Sequence, residues 1–254
     1  MPISKPVVLR FDPYRPFLGS TTPVGLYARQ KWLGEAQERD WQAAFSETVT
    51  TLLQDRLHDG SWGNSFIETV RRLFGLHLTV RHPTGYINSA LDWLLERVLS
   101  DSHPAEPGLD QLQGLPFVPG DPHLLRTTMV LFLSVVFGRG TAPGIEALYR
   151  EIARQALHDD RLWDPPGNIN NILRALVVHP VYARHAATVH IVRKLWEAQD
   201  PSGAWTGFLP LYQTVNALAH LDLPLGDEQL QIASIGPAGE KRSLIAAVMH
   251  DRGR

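Results

Sequence analysis

The chain has 254 residues, 44% of them hydrophobic, with 24 basic against 26 acidic side chains and a formal net charge of -2 at pH 7. That length buries a core as one large domain or two small ones, while a charge near zero gives no electrostatic footprint for nucleic acid or an anionic surface. Cysteine is absent, which excludes disulfides, thiolate zinc sites and a cysteine nucleophile together.

Pro2, Pro6, Pro13 and Pro16 disfavour helix over residues 1–20 and predict an extended arm draped over the body. The first residues lack a continuous apolar run, so no secretion signal is indicated and a cytoplasmic chain is expected. Residues 23–38 predict a first helix with Trp32 on its apolar side. Over 41–56, Trp41, Phe45, Val49, Leu52 and Leu53 recur at helical spacing and predict an outer helix. Beyond a Gly60-Ser61-Trp62 turn, Phe66, Val70, Leu73, Phe74 and His77 form the apolar stripe of an inner helix. A second hairpin pairs 86–100 with 122–138, across a Pro- and Gly-rich connection, 101–120, long enough to suggest a lid. The run Met129 to Phe137 inside it is about half the length that spans a bilayer and predicts a buried helix. Further pairs fall at 143–157 with 168–178, 181–199 with 208–222, and 227–235 with 239–251.

One unit repeats. Gln54-Asp55-Arg56-Leu57-His58-Asp59-Gly60-Ser61-Trp62 returns as Gln199-Asp200-Pro201-Ser202-Gly203-Ala204-Trp205, and a degenerate copy runs from Gln155 to Trp163 without the glycine. A hairpin cannot bury its own apolar face, so such units predict a stacked array, in which each turn tryptophan packs on the next hairpin and the glutamine bonds free groups at a helix end. A helix-ending Gln, a Gly-x-Trp turn and an inner helix opening Thr69-Val70-x-x-Leu73 resemble the Gln-Trp repeats of the triterpene cyclases, and more broadly the squalene-hopene cyclase and prenyltransferase α/α-toroid superfamily. The resemblance implies an all-α fold, an α/α toroid of about five helical hairpins plus an N-terminal helix. Residues 21–254 would form that single domain around an apolar cavity for isoprenoid chains; the protein prenyltransferases of the superfamily hold zinc with an Asp, a Cys and a His, a site this chain cannot build without cysteine, so neither a metal nor a cofactor is expected. The larger cyclases carry two such domains with the chamber between them. This chain has room for one, so either its cavity is self-sufficient or a homodimer or other second subunit completes it, and an isoprenoid ligand leaves room for a peripheral membrane contact.

The cyclases keep their proton donor in an Asp-x-Asp-Asp-Thr-Ala pattern before Val-Leu-x-Ala-Leu. The matching stretch here, Asn168-Ile169-Asn170-Asn171-Ile172-Leu173-Arg174-Ala175-Leu176, keeps the tail and lacks the acids. Read directly, Asn168 to Asn171 occupy the acidic place; aligned from the tail, Gly167 and Asn168 do. An amide cannot protonate an alkene, so ordinary squalene-to-hopene chemistry is expected to be absent and any catalysis must start elsewhere. Glu68, at the start of the first inner helix, and Asp164, before the Pro165-Pro166 turn, are the candidate acids or bases. A carboxyl facing an apolar cavity would suit proton donation, although Glu68 can equally pair with Arg72 and Asp164 can cap a helix.

Asn168 and Asn171 are candidates to hold a polar group of the substrate. His123 and Arg126, at the start of the second inner helix, are candidates to meet a diphosphate. Gln213 and Asn216, with His220, make a polar stripe that must face water, a partner or a cavity. Tyr212, Phe66 and Phe74 could line the cavity and stabilise carbocations. His179, His185 and His190 lie at spacings that do not share a helical face, so no metal site is expected. Two functions follow as expectations: a terpene cyclase-like enzyme acting on an apolar, isoprenoid substrate, or a non-catalytic toroid that binds a lipid or a partner subunit.

Overall fold

The computed structural model describes residues 12, 14–100, 112–205 and 211–235. Among these the chain is all helical, with isolated bridges in place of strands. Ten α-helices follow in order: α1 Pro23–Ala28, α2 Arg39–Leu53, α3 Phe66–Thr79, α4 Gly85–Leu99, α5 Pro122–Val136, α6 Pro143–His158, α7 Gly167–Val178, α8 Ala186–Ala198, α9 Leu211–Ala219 and α10 Pro224–Ile235. None of the described helices is long and apolar enough to cross a membrane.

Local chemistry sets the boundaries. Thr22, Ser65, Thr84 and Asp121 accept a backbone N–H from the first turn of α1, α3, α4 and α5, which satisfies a donor that the helix leaves orphaned. The helix expected over 23–38 is shorter: α1 ends at Ala28, a π-type turn fills Arg29–Leu33, and Gly34 at φ +71° stops it. The helix expected over 181–199 is split, because the His185 ring accepts from Ala187 N at 3.1 Å and caps α8 there. The last expected helix, 239–251, and most of the expected arm lie outside the described residues; Arg15–Phe17, at the arm's end, form a single 3-10 turn.

Two layers result. An inner row runs α1, α3, α5, α7, α9, each packed on the next, with α5 against α7 the most extensive pairing. Across it lie α2, α4, α6, α8 and α10; α4, for example, sits on both α3 and α5, and α6 on both α5 and α7. Tyr149 of α6 ties the two central inner helices together. Its buried hydroxyl lies 2.9 Å from Ala175 O and 3.3 Å from Leu131 O, and burial pushes the phenol well above its ordinary pKa, so it remains a donor. The sequence pattern of hairpins is thus present as an alternating stack. Among the described residues α1 and α9 share no extensive interface.

The repeated turns explain how one hairpin meets the next. At the first, Asp59 accepts Ser61 N–H at 2.9 Å and its hydroxyl at 2.7 Å, bonds that hold the carboxyl below its usual pKa. Trp62 Nε1 donates to Gln54 O at 2.9 Å. At the second, Asp200 accepts the hydroxyl and N–H of Ser202, with the same effect. There Gln199 Nε2 donates to Gly203 O and Gln229 O, bridging to α10. The two glycines do the seating: a Cβ on Gly60 would fall 2.6 Å from the backbone of Ser89 in α4, and one on Gly203 would fall 2.5 Å from Ile232 O in α10. Each turn therefore closes, backbone to backbone, on the next outer helix. The degenerate copy differs: Gln155 turns back to Glu151 of its own helix at 2.7 Å, and the neighbouring helix is met by Lys194, which pairs with Asp160 and lies 5.5 Å from the Trp163 ring centre.

Candidate functional site

The inner helix α7 carries the stretch where the resemblance places the acids, and it is buried from Gly167 to Val177. Two of its amides, Asn168 and Asn171, are committed to the chain's own backbone. Asn171 accepts from Val118 N at 3.0 Å and donates to Val118 O at 2.8 Å, a two-way clasp at a residue with no exposed surface. Asn168 Oδ1 accepts from Asp121 N at 2.7 Å. Gly167 lets the same segment come close, since a Cβ there would lie 1.8 Å from Pro119 O. Residues 112–120, the described end of the connection expected to act as a lid, are anchored to the core by the buried Leu112, Leu115 and Phe117, while Gln113, Gly114 and Pro119 are exposed. These amides close the start of α7 rather than present it to a chamber.

The other expected residues lie apart from one another. Glu68 is partly exposed at the start of α3, its two carboxylate oxygens engaged by Arg72 at 2.8 Å and Arg71 at 3.1 Å; Arg72 also reaches Thr51 O. Asp164 is exposed at the end of a short 3-10 turn, Asp160–Trp163. Phe66 is buried as the first residue of α3, and Phe74 packs on Phe132 of α5. On α5, Arg126 is buried and His123 exposed. Tyr212 belongs to α9, but its side chain lies outside the described part. Of the three histidines, His185 caps α8 and His179 Nδ1 accepts from Val181 and Tyr182 N–H beside the Tyr149 and Tyr182 rings. Among the described residues no group of three potential ligands is placed to hold a metal.

On α9, Asn216 of the polar stripe finds its partner in α7. Arg174, 4% exposed, donates from Nη1 to Asn216 Oδ1 at 2.5 Å and from Nη2 to Gln213 O at 3.1 Å. One turn earlier, Asn170 Nδ2 donates to Thr214 Oγ1 at 3.0 Å. Sequence reasoning singled out the stripe but passed over the arginine, although a charged residue amid Ile172, Leu173, Ala175 and Leu176 is itself a signal. Burial lowers its pKa to about 10, which leaves it protonated at neutral pH. A surface pocket of about 400 Å³ lies elsewhere, between α4 and the end of α5, lined by Pro83, Asn88, Asp92, Phe137, Gly138 and Arg139; none of the expected site residues borders it.

His77, on α3, sits among Phe74, Phe132 and Phe137 with its Nδ1 unbonded. Desolvation first, and Arg81 second, lower its pKa to about 4. The unfolded chain takes up that proton near 6.5, so the neutral ring's contribution is complete above 6.5 and is lost as pH falls from 6.5 toward 4. We expect this to remove as much as about 3 kcal/mol of stability. His77→Phe should flatten the pH dependence of urea unfolding in that window, and an unchanged slope would show that another group carries it.

Set beside protein-family models, curated proteins and solved structures, the chain matches none.

Proposed function

We propose that this chain is a non-catalytic relative of the triterpene cyclase and prenyltransferase toroids that works by joining a second subunit, a further copy of itself. The observation that carries this is the contrast between a buried middle and an exposed end of the inner row. α5 is buried from Leu124 to Ser134 and α7 from Gly167 to Val177, whereas around α1 Leu18, Val24 and Trp32 are exposed. An array of stacked hairpins needs a cap or a neighbour at its terminal unit. Trp32 stands with Tyr14, Phe17 and Tyr27 at ring-centre distances of 6.1, 5.8 and 6.2 Å, and clustered aromatic rings are what subunit interfaces concentrate. The larger proteins that the chain resembles hold two such domains in one polypeptide; here the second comes from another molecule.

The lack of chemistry is supported by the same residues that would supply it. The amides at 168 and 171 are spent on the 118–121 backbone, and Glu68 is held by two guanidinium groups. Sedimentation velocity of the whole chain should show a concentration-dependent dimer. Trp32→Glu or Val24→Glu should return it to monomer with its helical circular dichroism intact. A parent chain that stays monomeric at every concentration sinks the subunit reading. Turnover of any member of a panel of prenyl diphosphates and squalene-like polyenes, read by mass spectrometry, would replace it with the cyclase-like enzyme.

A further inference from the structure

Among the described residues, the interface of α7 with α9 holds a cation without a counter-charge. The guanidinium of Arg174 is met by neutral oxygens alone, Asn216 Oδ1 and Gln213 O, and its Nε–H has no acceptor. On the same face, one helical turn earlier, Asn170 is 2% exposed and its Oδ1 has no donor. A buried charge is costly unless paired, and an orphaned buried polar atom forfeits its desolvation free energy. Here an unmet donor and an unmet acceptor stand at i and i+4, where side chains of a helix are neighbours. Asn216 is exposed, so the guanidinium is one side chain removed from solvent.

We propose that Arg174 and Asn170 form a binding site for a phosphate group, which places one anionic oxygen on Arg174 Nε and donates its own P–O–H to Asn170 Oδ1. The chemistry selects the ligand. A carboxylate or a sulfate has acceptors but at neutral pH no proton to give, and leaves Asn170 unmet. A water or an alcohol satisfies both hydrogen bonds but leaves the positive charge uncompensated. Phosphate in its monoanionic form, free or as a monoester, meets donor, acceptor and charge together, and because the second pKa of a monoester is about 6, binding strengthens as pH falls toward that value. Gln213 and Asn216 then serve as positioning residues that hold the guanidinium plane. The site is independent of whether the chain pairs with a second copy.

The test uses the full chain and inorganic phosphate, with sulfate at matched ionic strength as the comparison, read by calorimetric titration and by 31P line broadening. Saturable binding at one site is expected, with phosphate favoured over sulfate by at least about tenfold, since the sulfate leaves a buried acceptor unpaired. Arg174→Met should abolish it. Because that change also removes a buried charge, Asn170→Asp is the decisive partner: nearly isosteric, it supplies an internal carboxylate beside the guanidinium and should also abolish phosphate binding while the helical spectrum is retained. Phosphatidic acid vesicles against phosphatidylcholine vesicles identify the source. Co-sedimentation lost in Asn170→Asp assigns a lipid headgroup, and its absence alongside titratable phosphate assigns a free phosphate compound. Equal response to phosphate and sulfate, binding that survives both substitutions, or no binding at all overturns the site.

Discussion

Gly60→Ala is expected to cost about 3–5 kcal/mol, and Gly63→Ala, three residues on, only about 1 kcal/mol. Both glycines have positive φ, +97° and +59°, so both substitutions carry the strain of a left-handed backbone. They differ in what the new methyl meets. At Gly63 there is nothing within 4 Å; at Gly60 the methyl would lie 2.6 Å from the Ser89 carbonyl carbon and 2.7 Å from Ala90 N. Backbone in mid-helix cannot step aside as a side chain can, so α4 must separate from the turn and expose part of the core around Trp62 and Leu91. Urea unfolding of the two variants measures the difference, and equal losses would mean that the contact contributes nothing beyond strain. Gly203→Ala should behave like Gly60→Ala, because Ile232 O of α10 occupies the corresponding place.

The second large effect is expected for Asn171→Asp, which puts a carboxyl back where the resemblance leads one to look for it. The change keeps an acceptor for Val118 N–H but loses the donor to Val118 O, and sets a carboxylate against that carbonyl where nothing is exposed. A loss of about 3–5 kcal/mol at neutral pH follows from an uncompensated buried charge. Burial and the facing carbonyl both raise the folded-state pKa of the new acid above its unfolded value. The deficit relative to the parent is therefore complete above the raised folded-state pKa, and shrinks as pH falls through it toward the unfolded value, where the neutral acid again donates to Val118 O. Unfolding measured at about pH 7 and about pH 4.5 tests this; the same deficit at both would show that the clasp is not what the substitution breaks. It also shows why an acid cannot simply be returned to α7, since the position holds residues 118–121 in place.

What was legible in the sequence was local. Trp41 to Leu53 and Phe66 to His77 carry helical spacing, and α2 and α3 lie within a few residues of where it places them. Gly34 is a stop signal within 23–38, but the apolar spacing continues through it. The break before α8 was harder to see, because a histidine side chain does the capping at His185. The Gly-x-Trp turns were recognisable as units, whereas the surfaces they seat on, Ser89 and Ile232, lie about thirty residues further on and no local pattern specifies them. The same holds for α7. The unusual run of asparagines was singled out, yet Asn171 and Asn168 meet Val118 and Asp121 across 53 and 47 positions. The stripe at Gln213 and Asn216 was known to need a polar counterpart, and only the packing of α9 on α7 brings Arg174 to it.

The turn at Asp159 to Trp163 has a consequence for how the stack responds to its surroundings. Gly60 and Gly203 seat by close-packed backbone, a contact that dissolved ions hardly reach. Across the third joint, Lys194 bridges to Asp160, which is exposed, and to the face of Trp163, and attractions of that kind weaken as mobile ions screen them. Ionic strength therefore acts unevenly along the row: it hardly touches the backbone contacts of Gly60 with α4 and of Gly203 with α10, and slackens the joint where α8 is gripped by Lys194.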